Sequence, residues 1–506
     1  MSLKRNVVAS LASQVYITVA SVVALPLYVK YMGAEAYGLV GFFTVLLAWF
    51  SVLDVGLSAT VARETARFHG GALDALGYRR FVRAVEGVFA VVGTLGGGAL
   101  FAAAGLIGRG WLVVQELSET DVARAIQLMA VIVALRWMCG LYRGTVSGAE
   151  RLVWLGVFNV VIATLRSLGV IGILALGWTR PAHFFAYQAG VAVLELLLLA
   201  GKAYALLPPV SAGRAVPWSW APLKPVLRFS TMSGLASIAA ALASQADKLV
   251  LSKVLPLAQY GYFSLAVAAA GGVGLIGGPV AGALLPRITR MQAEGEQAAS
   301  IEVYRRATQF VAVFAGAASL TLAFCAEPLL LAWTGNTGLA TQAAPILRLY
   351  ALGNGVVAVG GLQYLLQYAK GDLRLHAIGS VAIPLVLVPA VIWAARRHGA
   401  VGAGYAFLGV NLASLLAYVS LVHSRFAPGL NARWYAHDTT LIFATMAAIG
   451  AVAHAVFPAP SSRLWLAGFL VAFGAVLTVA GACASSMMRR KLTAWTRHDH
   501  GTVEVE

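Results

Sequence analysis

Apolar runs of about 20 residues recur from one end of this sequence to the other, and nothing else in it limits the fold as much. At 1.5 Å per residue, a helix of that length crosses the roughly 30 Å hydrocarbon core of a bilayer. Composition agrees: of 506 residues, 60% are hydrophobic and 11% charged, with a mean hydropathy of +0.80. A soluble domain carries roughly a quarter charged residues, so this chain has too few to cover a watery surface. The expected fold class is therefore an all-α integral membrane protein without a soluble domain, whose length counts spans.

Hydropathy places about fourteen spans, at roughly 7–29, 38–62, 84–107, 123–147, 152–177, 183–207, 229–254, 260–286, 307–333, 345–369, 375–395, 400–424, 438–457 and 464–486. The first follows Lys4-Arg5 and could pass for a signal peptide. It is too long for a signal h-region, contains Pro26 and has no small-residue cleavage site, so it is read as a span. The net charge of +17 does not point to nucleic acid, because the basic residues sit in short loops between apolar runs. With the N-terminus in the cytoplasm, about 25 of the 37 Lys and Arg fall inside, about 9 outside and about 3 within spans. Both termini are thus expected on the cytoplasmic face, with the Arg489-Arg490-Lys491 cluster in a cytoplasmic tail. Cys139, Cys325 and Cys483 lie in separate apolar stretches with neither metal nor disulfide spacing, and read as small apolar fillers.

The chain also repeats itself. Lys30 followed by Tyr37-Gly38 returns as Lys253 followed by Tyr260-Gly261, and Ala62-Arg63-Glu64-Thr65 returns as Pro286-Arg287-Ile288-Thr289. Leu135-Arg136-Trp137 leading to Arg143-Gly144 returns as Leu362-Gln363-Tyr364 leading to Lys370-Gly371. The offsets of 223, 224 and 227 residues are nearly constant. Two six-span lobes explain them: residues 1–207 and 229–425, joined by a cytoplasmic linker at 208–228, with two further spans in 426–488 and a tail at 489–506. An even number of spans per lobe makes this a parallel repeat, the arrangement of transporters that open alternately to either face. Glycine clusters at Gly93–Gly98 and Gly271–Pro279 read first as close helix packing, with a kink at Gly278-Pro279 as the other reading.

Leu25-Pro26 through Tyr37-Gly38, then Leu53-Asp54-Val55-Gly56-Leu57 ending in Arg63, resemble the opening of the polysaccharide transporter family. Asp247-Lys248-Leu249-Val250-Leu251 followed by Tyr260-Gly261-Tyr262-Phe263-Ser264 resembles its second-lobe opening. This family contains the Wzx-type O-antigen flippases and belongs with the MATE-like exporters. The resemblance implies two MATE-like lobes, and movement of undecaprenyl-diphosphate-linked oligosaccharide units from the cytoplasmic to the periplasmic leaflet of the bacterial inner membrane. The glycan would serve O-antigen, capsule or exopolysaccharide. It also implies no ATP hydrolysis, in keeping with the absence of a GxxxxGK[ST] loop. Expected partners are the lipid-linked oligosaccharide, membrane lipids and the polysaccharide polymerase and chain-length machinery. No cofactor is expected, and coupling to a proton or a sodium ion stays open.

Ionisable groups inside spans cost roughly 2.5–3.5 kcal/mol on insertion scales, which makes them functional candidates. Arg136 and Arg143 lie one heptad apart in the fourth span, and Arg166 and Asn159 share a face of the fifth. Together they could form a cationic cavity wall, since a guanidinium fork suits phosphate oxygens and stays charged. The alternative is a structural ion pair of Arg136 or Arg166 with Glu195, and snorkelling of Arg143 to the cytoplasmic surface. In the second lobe Gln363, Gln367 and Lys370 form a milder polar stripe at helical spacing. Asp54, Glu195, Asp247 and Lys248 are the candidates for ion coupling, the alternative for Asp54 being that it caps a kink or pairs with a neighbouring Arg.

Rival functions are a MATE-type small-molecule exporter, a lipid II flippase and a polymerase or ligase of the same pathway. An exporter of cationic drugs would favour cavity carboxylates over arginines. A polymerase or ligase would carry a long external loop with catalytic Arg or His, whereas 108–122 and 334–344 are short. A scaffold would leave the mid-span arginines without a purpose.

Overall fold

The computed structural model describes residues 3–54, 56–209, 219, 220, 223, 245–457 and 462–487. The described residues are helical apart from turns and one isolated parallel bridge, Val113 to Pro256. They fall into two compact units, Met1–Gly261 and Tyr262–Glu506.

The first unit holds α1 (Leu3–Met32), α2 (Ala34–Val52), α3 (Leu57–His69), α4 (Ala75–Gly110), α5 (Glu119–Gly148), α6 (Leu152–Thr164), α7 (Val170–Ala175), α8 (Pro181–Leu206), α9 (245–254) and the start of α10 (Leu257–Gly274). The second continues with α11 (Gly277–Ala293), α12 (Gln297–Phe324), α13 (Ala326–Thr334), α14 (Thr337–Gly360), α15 (Tyr364–Ala369) and α16 (Arg374–Ser414). It ends with α17 (Ser420–Phe426), α18 (Asn431–Arg433), α19 (Leu441–Val456) and α20 (Arg463–Ala484).

Among the described residues, twelve stretches are long and apolar enough to cross a membrane. One of them, Arg374–Phe426, holds two spans, because His398 and Gly399 leave helical geometry and Gly399 takes φ +58°. Thirteen of the fourteen expected spans are thereby accounted for. The remaining one, 229–254, lies outside the described residues except for α9, as do most of the expected linker and the tail.

Three spans depart from simple rods. The second is broken between Val52 and Leu57, where Gly56 takes φ +76° and the Asp54 side chain caps the new start. The fifth carries a π-helical turn, Leu165–Gly169, between α6 and α7. The eighth breaks at Leu275 and Ile276, just before the Gly277-Gly278-Pro279 run, so Pro279 lies in the first turn of α11, where its missing N–H costs no hydrogen bond. Of the glycines read as packing points, Gly97 lies against Ala130 and Ala134 of α5, whereas Gly271, Gly272 and Gly278 face open space. In α5 itself, Gly144 and Gly148 sit against the α3 backbone at Ser58 and Ala62, so any side chain there would push α3 away.

The second unit is tied together by a buried polar network near Asp438. Arg305 of α12 makes a two-pronged pair with the Asp438 carboxylate at 2.7 and 2.9 Å. Gln309, one turn on, also donates to Asp438 at 2.5 Å, and its carbonyl oxygen accepts from the Ser485 hydroxyl at 2.8 Å and the Met487 N–H at 2.9 Å. Trp434 donates to Thr308 at 3.1 Å, and His423 meets Tyr304 at 2.9 Å. The last two spans are thus fastened to α12 by hydrogen bonds as well as by apolar contact. Asp438→Asn is expected to cost about 1.5–3 kcal/mol, the range for a hydrogen bond to a charged group. A fall in the thermal midpoint of purified protein in detergent measures it.

Candidate functional site

Two half-helices and one continuous helix build the site in the first unit. The seven-residue spacing on α5 puts Arg136 and Arg143 on one face. Where α3 packs against α5, the break in the second span brings Asp54 and Ser58 opposite Arg136. These residues line a cavity of about 320 Å³ together with Ser51 and Trp137. Asp54 accepts from the Ser58 N–H at 3.0 Å and the Ser58 hydroxyl at 2.9 Å, both on one carboxylate oxygen. Arg136 has no hydrogen-bond or ion-pair partner among the described residues. A fixed guanidinium facing a cavity inside an apolar span is a strong attraction for an anion, because the surroundings screen it weakly.

The other two arginines of the expected wall are held differently. Glu195 of α8, its side chain only 2% exposed, pairs with both Arg166 and Arg143. Arg143 also donates to Asn159 on α6. Arg166 sits in the π-helical turn, which frees backbone carbonyls that lipid cannot satisfy. Side chains take them over: Tyr187 donates to Leu165 O at 3.0 Å, Gln188 to Arg166 O at 2.9 Å and Tyr28 to Ser167 O at 2.9 Å. The bulge is thereby fixed by α1 and α8. Three of the predicted cations remain close enough to feel one another's charge, with Glu195 as the shared counter-ion of two of them.

In the second unit Gln367 donates to Gln363 and, at 3.2 Å, to the Tyr418 hydroxyl, which donates to Leu375 O at 3.0 Å. Lys370 donates to Phe426 O at 2.8 Å. This stripe is engaged with its own unit. On α9 the Lys248 ammonium donates to Gln245 at 3.0 Å and its backbone N–H to the Asp247 carboxylate at 2.8 Å. Reading the sequence did not find Ser58, the α3–α5 close approach or the π-helical turn. The Gly140, Gly144, Gly148 spacing of four was the available signal for the close approach. Arg305 was missed as well. It lies next to the predicted start of its span and was counted among the loop cations, although Asp438 buries it.

A family model described as polysaccharide biosynthesis protein matches residues 3–292, more than half of the chain and all of the first unit's site. The chain belongs to that family. Comparison with curated proteins finds no match. Among solved structures this family member is similar to the lipid II flippase MurJ in an inward closed conformation, with 12% identity over 96% of this chain and 99% of that one, and a TM-score of 0.73. It is also similar to a multidrug resistance MATE family transporter of the MOP superfamily in an inward-facing conformation, with 15% identity over 81% and 94% of the two chains, and a TM-score of 0.64. A third is the MATE multidrug transporter DinF-BH, with 14% identity over 84% and 95%, and a TM-score of 0.57. At such identities the likeness establishes the fold alone: an all-helical, multi-pass membrane architecture.

Proposed function

We propose that this polysaccharide biosynthesis protein flips undecaprenyl-diphosphate-linked oligosaccharide units from the cytoplasmic to the periplasmic leaflet of a bacterial inner membrane. The observation that carries the reading is Arg136, a guanidinium beside a cavity within a membrane span and unpaired among the described residues. A diphosphate supplies oxygens that match its fork, and the sugar and polyprenyl ends need only room and apolar surface. Arg143, partly exposed next to Glu195, extends the positive character toward the end of α5 that the basic loops place in the cytoplasm. Moving a dianion outward from an inside-negative cell gains about 2.3 kcal/mol per charge per 100 mV, so no nucleotide is required. The polymerase and chain-length machinery would receive the product on the far side.

The similarity to MurJ favours lipid II as a second substrate to be tried, since it offers the same diphosphate. The test is a deletion strain probed for the sidedness of polyprenyl-linked glycan. We expect linked glycan to accumulate on the cytoplasmic face and wild-type protein to clear it. If linked glycan still reaches the periplasm and only its polymerisation or transfer is lost, the protein acts after flipping and the reading is overturned.

A further inference from the structure

The charges around the cavity do not balance, and the imbalance has a chemical consequence for the substrate proposed above. Mid-span in the first unit stand Arg136, Arg143 and Arg166 against Asp54 and Glu195, among the described residues. Of the next buried carboxylates, Glu64 on α3 is matched by Arg67 at 2.9 Å and Glu86 on α4 by Arg83 at 3.3 Å. The empty site therefore carries one excess positive charge. A diphosphate diester brings two negative charges and would leave one excess negative charge in a medium that screens poorly.

We propose that binding of the diphosphate dianion takes up one proton on Asp54, which makes the loaded site neutral. This rests on the anion-site reading of Arg136. Asp54 is the acceptor rather than Glu195, because Glu195 is clamped by two guanidinium groups. Among the described residues, Asp54 is held only by the Ser58 N–H and hydroxyl, on one of its two oxygens. The charged or titratable group that faces it across the cavity is Arg136 from α5, and α2 and α3 contribute only the hydroxyls of Ser51 and Ser58. When the diphosphate engages Arg136, it offsets that cation and adds negative charge to the cavity that Asp54 also lines. A metal cation suits the place less well. Such ions gather six or so oxygens, and no cluster of metal-binding side chains occurs among the described residues. The proton comes from water in the cavity, sits on the carboxylate while substrate is bound, and returns to water when substrate leaves.

The experiment uses purified full-length protein and a synthetic diphosphate diester with glucose at one end and a farnesyl chain at the other, a dianion at every pH used. Calorimetry in two buffers of different ionisation enthalpy counts protons per diester bound. Wild type is expected to take up one, and its affinity to fall about tenfold per pH unit once Asp54 is ionised in the empty site. Asp54→Asn is expected to take up none and to bind with pH-independent affinity. An elution volume and a melting curve matching wild type show that the variant is folded. A wild-type affinity that is independent of pH, or proton uptake that survives in Asp54→Asn, overturns the proposal. Diester binding unchanged in Arg136→Ala, or absent from wild type, overturns instead the anion site on which it rests.

Discussion

Replacing Arg136 by alanine is expected to cut glycan translocation at least about 100-fold while leaving the protein folded and inserted. The size follows from the contact removed. Two charge-assisted hydrogen bonds to a diphosphate contribute about 3 kcal/mol or more together, and each 1.4 kcal/mol is tenfold. Folding is spared because Arg136 has no partner to orphan among the described residues. Deleting a charge from a span even removes an insertion cost of roughly 2.5–3.5 kcal/mol. Arg136→Lys keeps the charge and loses the fork, so an intermediate rate, about tenfold down, is expected. Flux of linked glycan at matched protein levels measures both variants against wild type. A variant that is inserted and fully active would remove Arg136 from the mechanism.

Glu195→Ala is expected to fail differently, by loss of folded protein. Breaking a buried pair by removing one partner costs about 3–5 kcal/mol, and here one carboxylate serves two arginines. The loss also releases Arg166 in the π-helical turn, whose carbonyls depend on Tyr28, Tyr187 and Gln188 staying in register. Glu195→Gln keeps an acceptor oxygen but no charge and should fall between. Adding Arg143→Met to Glu195→Gln removes one orphaned cation and is expected to recover part of the thermal stability. Melting curves in detergent check the series. Wild-type stability in Glu195→Ala, with transport alone lost, would move Glu195 from counter-ion to transport site.

The contrast between these two arginine settings shows what the sequence could and could not disclose. Hydropathy located the spans because each must satisfy its backbone internally and present apolar side chains to lipid. It could not locate the break at Asp54, because a capped half-helix and a continuous one have the same hydropathy and differ only in local backbone geometry. The seven-residue spacing put Arg136 and Arg143 on one face of α5, but partner choice depends on which helix packs alongside. Glu195 reaches Arg143 and Arg166 because α8 packs against α5. Arg136, two turns away on the same helix, is left facing Asp54 across the cavity. The second-lobe stripe of Gln363, Gln367 and Lys370 was visible as a pattern, yet its use depends on Tyr418 and Phe426, more than 50 residues away. The charge of Arg305 was visible too, but not its burial, since Asp438 reaches it from 133 residues further along the chain.

The most direct test of the account is leaflet exchange in proteoliposomes containing only the purified protein and a fluorescent undecaprenyl-diphosphate-linked oligosaccharide, followed by accessibility to a membrane-impermeant quencher. The account predicts rapid exchange with wild type, loss of it in Arg136→Ala, and acceleration when the membrane potential drives net negative charge toward the quencher. Exchange no faster than in protein-free liposomes, or equally fast in Arg136→Ala, would contradict it.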